Sequence, residues 1–405
     1  MSFRLKNLQT EAVRILLLNQ VFYPDPQASS QYLSRLADEL AQLGHQVTVL
    51  TARRDYDNPT RQYPPRETWR DVEIIRVWNT GWGHGSKMGL AVDYLTFLMA
   101  ALLRGLLLKR VDEVVALTSP PLVSVVGAIL AGIWRARFVY WLMDMNPDEA
   151  IAVGWLRAGS FLARMLEMAS RWSLRQADKI IVLDRYMRDR LETKGIASEK
   201  VEVIPLWTQE KAKFYPDKRL QFRQEHGLSD KYFVLYAGNH TPCHPLDTLV
   251  AAARLLQDEP RICFGFVGFG IDWNRLREQA RIEKWSNTLF LGFQPLETGL
   301  LSAADVQVVV MGDPFVGIIH PCKAYNFLAA RRPFIYVGPE QSHVTDLIKD
   351  AGLEGVTAAF RHGESRDLAD ELRRRVGEAA APWPDKSRTL PWTEAVVLEK
   401  MLAAL

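Results

Sequence analysis

Lys323 and His320 stand in the stretch Gly312 to Gly338, GDPFVGIIHPCKAYNFLAARRPFIYVG, between the apolar runs Val306 to Val310 and Phe334 to Val337. A strand, a loop with Gly317, His320, Cys322 and Lys323, a helix and a second strand are the expected elements. Pro321 is expected in the first helical turn, where its missing N–H costs nothing. Free amides at that N-terminus carry partial positive charge, which suits a phosphate group. Lys323 opposes the helix dipole there, so an anionic ligand accounts for it better than helix stability does. The bland alternative is a solvated lysine on a surface helix.

Other candidates also follow apolar runs. WLMDMNPDEAIAVGW (Trp141 to Trp155) places Asp144, Asp148 and Glu149 just beyond a strand, where a carboxylate could orient or deprotonate a hydroxyl. Asp148 and Glu149 also suit a helix N-terminus without further function. Gly238 to His244 (GNHTPCH) supplies Gly238, Asn239, His240 and His244, and GFVGFG supplies Gly268 and Gly270 for close backbone approach or a tight turn. Near the start, NQVFYPDPQASS holds Gln27 and Ser29, with Ser29 or Ser30 placed to cap a helix, and TSPP holds Ser119. His240, Cys243, His244, His320 and Cys322 have zinc-ligand chemistry without a familiar zinc spacing. Asp55-Tyr56-Asp57 looks like an acid pair for a metal, in a context that points to chance.

The elements that must position these residues alternate in type. Strand runs are expected at Val13 to Asn19, Val47 to Leu50, Val72 to Val77, Glu113 to Leu117, Phe138 to Leu142, Lys179 to Leu183 and Val201 to Ile204. A second series runs Tyr232 to Ala237, Ile262 to Val267, Thr288 to Leu291, Val306 to Val310, Phe334 to Val337 and Val356 to Ala359. Helical patterns between them, such as Gln31 to Leu43, predict an α/β fold with two doubly wound parallel sheets. In such sheets every loop after a strand reaches one edge, where ligands bind. The expected domains are 1–207 and 216–385, with a last helix, Trp392 to Leu405, crossing back onto the first. An Ala- and Pro-rich stretch, Ala379 to Pro391, precedes that helix.

With 405 residues and 48% apolar content, two domains are expected. A net charge of +3 without a basic run gives nucleic-acid binding no electrostatic support. Three unpaired cysteines and the polar opening MSFRLKNLQTEAVR suggest a cytoplasmic protein without disulfides. Met88 to Leu108 is nearly long enough to span a bilayer, but Asp93 and Arg104 oppose that. A largely buried helix is the simplest expectation. An interfacial helix, with Lys87, Arg104, Lys109 and Arg110 at its ends, would place the protein peripherally on the inner membrane.

The order of YPDPQASSQYLSRLADELAQLGHQVTVLTA, LTSPPL, YWLMDMNPDEAIAVGWL, YAGNHTPCHPLDTL, FVGFG, LSAADV and PCKAYNFLAARRP resembles GT-B glycosyltransferases of family 4. The likeness is greatest to the exopolysaccharide and O-antigen subgroup with fucosyl and N-acetylfucosaminyl transferases. It implies two Rossmann-like domains facing a cleft, a nucleotide-sugar donor with UDP as default, and a lipid-linked glycan or polysaccharide-precursor acceptor. It further implies retention of anomeric configuration without metal or cofactor. On this reading Lys323 and Asp144 are catalytic. Gly238, Asn239, His240, His244, Gly268, Gly270, Gly317, His320, Cys322 and Asn326 bind donor, and Gln27, Ser29 and Ser119 face the acceptor.

Departures from that family are specific. Asn239 and His244 stand where an arginine and a lysine are usual, and Ile318 and Asn326 where two glutamates are. Arg331 replaces a usual glycine. The missing acids leave open a catalytically inactive sugar-nucleotide scaffold, and a sugar-nucleotide epimerase could use the same fold.

Overall fold

The computed structural model describes residues 12–83, 86–378, 383 and 390–405. The polar opening, residues 1–11, and most of the Ala- and Pro-rich stretch lie outside the described residues. The chain forms two compact units, Met1–Pro205 with Leu398–Leu405, and Leu206–Val397.

Unit 1 runs β1 (Arg14–Leu18), α1 (Ala28–Gln42), β2 (Gln46–Ala52), β3 (Arg66–Trp69), β4 (Val72–Val77), α2 (Lys87–Leu106) and β5 (Glu113–Ala116). It continues through α3 (Val123–Trp134), β6 (Arg137–Leu142), α4 (Asp148–Ala152), α5 (Phe161–Gln176), β7 (Lys179–Val182), α6 (Arg185–Thr193) and β8 (Val201–Val203). The sheet order is β3-β4-β2-β1-β5-β6-β7-β8. Leu17 on the central β1 lies opposite Val49 and Val115, and all three are fully buried. Strands buried on both faces must read as continuous apolar runs, which is why they were visible in the sequence.

Unit 2 runs α7 (Pro216–Glu225), β9 (Tyr232–Ala237), α8 (Asp247–Leu255), β10 (Ile262–Val267), α9 (Ile271–Ile282), β11 (Thr288–Leu291), α10 (Leu300–Ala303) and β12 (Val306–Val310). Then come α11 (Lys323–Ala330), β13 (Phe334–Val337), α12 (His343–Asp350), β14 (Ala358–Phe360) and α13 (Ser365–Val376). The sheet is wholly parallel, in the order β11-β10-β9-β12-β13-β14. A final helix, α14 (Glu394–Ala404), ends in unit 1, where the Arg137 guanidinium donates to the carbonyls of Ala404, at 2.7 Å, and Leu405.

Each sheet reverses direction beside its first strand, between β1 and β5 in unit 1 and between β9 and β12 in unit 2. Loops leaving those two strands diverge to opposite faces, which opens a crevice at their carboxyl ends.

Several expectations need correction. Alternation is not strict, because β2 reaches β4 through β3, which pairs antiparallel to β4. The turn between them puts Arg70 (φ 48) and Asp71 (φ 63) in the left-handed region, without the Asn-Gly that usually signals such a hairpin. Arg70 is held by Asp38 of α1 at 2.8 Å. The last strand begins at Ala358, not Val356. Gln27 is the N-cap of α1 and makes no side-chain cap bond, so neither Ser29 nor Ser30 caps it; both fall within its first turn. Pro321 lies outside α11, whose N-cap is Cys322. The helix α2 is not largely buried, since only the stripe Gly89, Asp93, Phe97, Ala101 and Gly105 is covered.

The structure also accounts for Arg331. It closes α11 at φ 49, the left-handed position where a β-carbon costs about 1 kcal/mol and glycine is the usual residue. Arg331→Gly is expected to raise Tm by roughly 2–4 °C in calorimetry. An unchanged or lower Tm would mean that the side chain offsets this strain.

Candidate functional site

The crevice of unit 2 is built from the loops after β9 and β12. The Gly312 amide donates to the Cys243 carbonyl at 3.0 Å, which ties the two loops together. His244 reaches under this junction and its Nδ1 donates to the Val310 carbonyl at 2.8 Å. Across the same gap, Lys323 at the first position of α11 places its Nζ 3.9 Å from the centre of the Tyr236 ring. A β-carbon at Gly238 (φ 141) would lie 3.0 Å from that Nζ. Glycine is favoured there by the backbone, and a larger residue would press on the lysine tip.

Electrostatics make this lysine unusual. Part of its stem is exposed, but Nζ is shut off from solvent and has no hydrogen-bond partner. Burial pushes its pKa down to about 7. An ammonium over a tyrosine face gains some cation–π attraction, which does not replace its lost hydration. One turn further along the same face, the Asn326 Oδ1 is also buried without a partner.

His240 completes the cluster. It is fully buried, its Nδ1 donates to the Gly238 carbonyl at 3.0 Å, and its Nε2 has no partner. Burial and the nearby Lys323 charge lower its pKa to about 4, and the same causes lower His244 to about 3. Both rings are thus neutral near pH 7. With its proton committed to Nδ1, His240 presents an acceptor lone pair at Nε2, which fits a hydroxyl better than a phosphate oxygen.

The remaining candidates of unit 2 fall in different places. Gly268 (φ 130) and Gly270 (φ 133) are glycines because a β-carbon would run into the carbonyls of Gly238 and His240 respectively. Their close approach is to the neighbouring loop, which explains both glycines without a ligand. Asn239 is exposed, and its carbonyl accepts from the Tyr236 hydroxyl at 2.9 Å. His320 pairs with the Tyr325 hydroxyl through Nε2 at 2.9 Å and stacks on His343 at 3.9 Å, contacts that fix its ring within unit 2. Gly317 (φ 70) turns the loop before α11. Cys322 is the N-cap of α11, takes part in no disulfide and makes no side-chain cap bond, while its carbonyl accepts from the Tyr325 amide at 3.2 Å. Among the described residues His240, Cys243, His244, His320 and Cys322 do not gather into one ligand set.

In unit 1 the crevice lies between β1 and β5. The Gln20 amide donates to the Ser119 carbonyl at 2.5 Å and the Ser119 amide to Asn19 Oδ1 at 3.2 Å. Gln27 donates to Asp57 at 2.8 Å, with its Oε1 buried and unpartnered, and Ser29 is partly buried in α1. Asp144 follows β6, and its pKa is raised well above the usual carboxylate range by burial and then by Glu149. Both causes favour its protonated form, in which a carboxyl orients a hydroxyl by donating a hydrogen bond. Asp148 is structural, held by Arg190 at 3.0 Å and Lys194 at 2.8 Å. Asp55 is spent on the amides of Asp57 and Asn58, at 3.0 and 2.9 Å, and on the Tyr63 hydroxyl at 2.7 Å, which removes it from any metal pair.

Tyr236 is the site residue that sequence reasoning missed. It lies on β9 two residues before Gly238, and its place at the carboxyl end of a strand that feeds the loop was the available signal.

Two α/β domains, each a doubly wound sheet with its crevice at the reversal of strand order, are the fold of GT-B glycosyltransferases. Residues 28–207 match the family described as glycosyl transferase 4-like domain. WbjE of Pseudomonas aeruginosa, named as a glycosyltransferase, is 24% identical over 65% of this chain and 66% of its own length. WcaI of Escherichia coli K12, a glycosyl transferase named for colanic acid biosynthesis, is 26% identical over 78% of this chain and 81% of its own. The solved structure of HepE from Anabaena with UDP and glucose superposes with a TM-score of 0.71, covering 96% of this chain and 98% of that one at 17% identity.

Proposed function

We propose that this protein is a retaining glycosyltransferase of cell-surface glycan biosynthesis, taking its sugar from a nucleotide-sugar held by unit 2. The carrying observation is the Lys323 ammonium, buried and unpartnered at the β9–β12 crevice beside an uncapped helix N-terminus. A diphosphate supplies what that group lacks, and charge developing on it as the sugar departs is stabilised by groups already in place. Asn326 and His240 then offer acceptor atoms to hydroxyls of the ribose and the sugar. UDP is the nucleotide favoured by the relation to HepE, whose structure holds UDP and glucose.

The acceptor belongs to unit 1, where Gln27, Ser119 and protonated Asp144 supply donors and acceptors for a lipid-linked glycan. No residue on this reading needs a metal, because Lys323 and the helix amides meet the diphosphate charge. The protein would act in the cytoplasm, at the surface where such acceptors are made.

Thermal stabilisation by UDP, GDP, ADP and their sugars tests the donor site. The cognate diphosphate at 100 times its Kd is expected to add about 2.7 kcal/mol. No stabilisation by any of them, with or without magnesium, would overturn the assignment. Product that forms only with acceptor present, and with its anomeric configuration kept, distinguishes transfer from epimerisation.

A further inference from the structure

We infer that the layer formed by α2, α3 and α5 of unit 1 is a docking face for an anionic lipid bilayer, with α2 and α5 lying in the plane of the interface. The three helices form one layer. Gly105 of α2 packs on Leu130 of α3, whose Cδ1 would lie 2.5 Å from a β-carbon there, and Ser124 of α3 meets Ser173 of α5 at 2.9 Å. Outward from that layer, Phe161, Met165, Met168 and Trp172 are exposed at the spacing of one face of α5. Met88, Leu95, Met99 and Leu103 form a matching stripe on α2. Phe161 is 79% exposed and Met88 76%, far beyond the scattered apolar residues of an ordinary surface.

The charge pattern selects the occupant. The only acid on α2, Asp93, is buried and bonded to Thr80 and to the Trp82 amide, while Lys87 is exposed at one end and Arg104 partly exposed at the other. The only acid on α5, Glu167, is paired with Lys194 at 2.8 Å, and Arg164 is exposed beside the stripe. Lys87 also lies 5.7 Å from the ring of Trp155, which is itself exposed at the start of the patch. Apolar stripes rimmed by cations and aromatic rings, without a free acid on either helix, fit acyl chains beneath anionic headgroups.

An in-plane helix also fits α2 better than a spanning one. Its 20 residues have a mean hydropathy of 1.5 and could cross a bilayer by length alone. Crossing would strip Phe97, Ala101 and Gly105 from the fold and carry Asp93 into hydrocarbon.

This surface does not depend on the donor assignment, because it would hold in a protein with no transferase activity. The test is flotation of the full chain with phosphatidylcholine vesicles, with and without phosphatidylglycerol. The wild type is expected to float with the anionic vesicles and to be released by salt. The double variant Met99→Glu/Met168→Glu, whose Tm should match wild type because both sites are exposed, should bind about tenfold or more weakly. Equal binding to neutral vesicles, or unchanged binding by the variant, would overturn the inference. So would a wild-type dimer in sedimentation that the same variant dissociates without any vesicle binding, which would assign the face to a second copy of the chain.

Discussion

Lys323→Met is expected to lower transfer a hundredfold or more while leaving the protein at least as stable as wild type. These two effects have opposite signs because the residue is costly to the empty fold and useful to the loaded one. Its ammonium is buried without a hydrogen-bond partner, and burial has already moved its pKa to about 7. Methionine keeps the length and packing of the chain over Tyr236 and removes the charge that has to be desolvated. Stability should therefore hold or rise. Turnover should fall because, in the proposed function, this charge meets the departing diphosphate, and removal of one such preorganised group usually costs about 10²–10³ in kcat. Binding of UDP should weaken in the same variant, as read by calorimetric titration. A variant with normal turnover would sink the role of Lys323. A variant that loses turnover only by unfolding would show the lysine to be structural.

That expectation depends on both sequence and structure, in separable parts. The stretch around Lys323 was legible because a lysine beginning a helix after a buried strand is locally unfavourable, and a local conflict of that kind often marks a site. The strands were legible because both faces of each sheet are covered, so apolar runs such as Val306 to Val310 have no polar alternation to hide them. The groups that give Lys323 its character were not legible. Tyr236 lies 87 positions away, and only the pairing of β9 with β12 brings its ring beneath the ammonium. The protonation of His240 was hidden for a similar reason, since it depends on the curl of the loop that brings Nδ1 onto its own neighbour's carbonyl. The packing of Gly268 and Gly270 against an adjacent loop was hidden, because a glycine needed by such a loop and a glycine needed by a ligand look alike in one sequence. The hairpin of β3 was missed because Arg70 and Asp71 adopt a conformation that asparagine and glycine usually announce. Its four residues also carry no apolar run.

The titrating groups of the two units predict opposite responses to pH. In unit 1, burial raises Asp25 from 3.8 to about 7 and Glu113 from 4.5 to about 7, and Asp144 moves the same way. In unit 2, burial lowers His240 from 6.5 to about 4 and His244 from 6.5 to about 3. Between about pH 4.5 and 6.5 the folded carboxyls of unit 1 keep protons that the unfolded chain has released. Stability then falls as pH rises, because the slope follows the protons bound by the unfolded state minus those bound by the native one. The histidines of unit 2 have the reverse sign, since the unfolded chain holds protons that the native rings have lost, and stability rises through the same window. Lys323 extends that gain above pH 7, where its folded form is already neutral. His45 works against the trend of unit 1, but it is one partly exposed ring against three buried acids. Calorimetry across this range, with hydrogen exchange to assign each transition to its sheet, should show the unit 1 transition moving down and the unit 2 transition moving up. Shifts of roughly 5 °C each way are expected for units of this size. Transitions that move together would show that the buried carboxyls are already ionised in the fold.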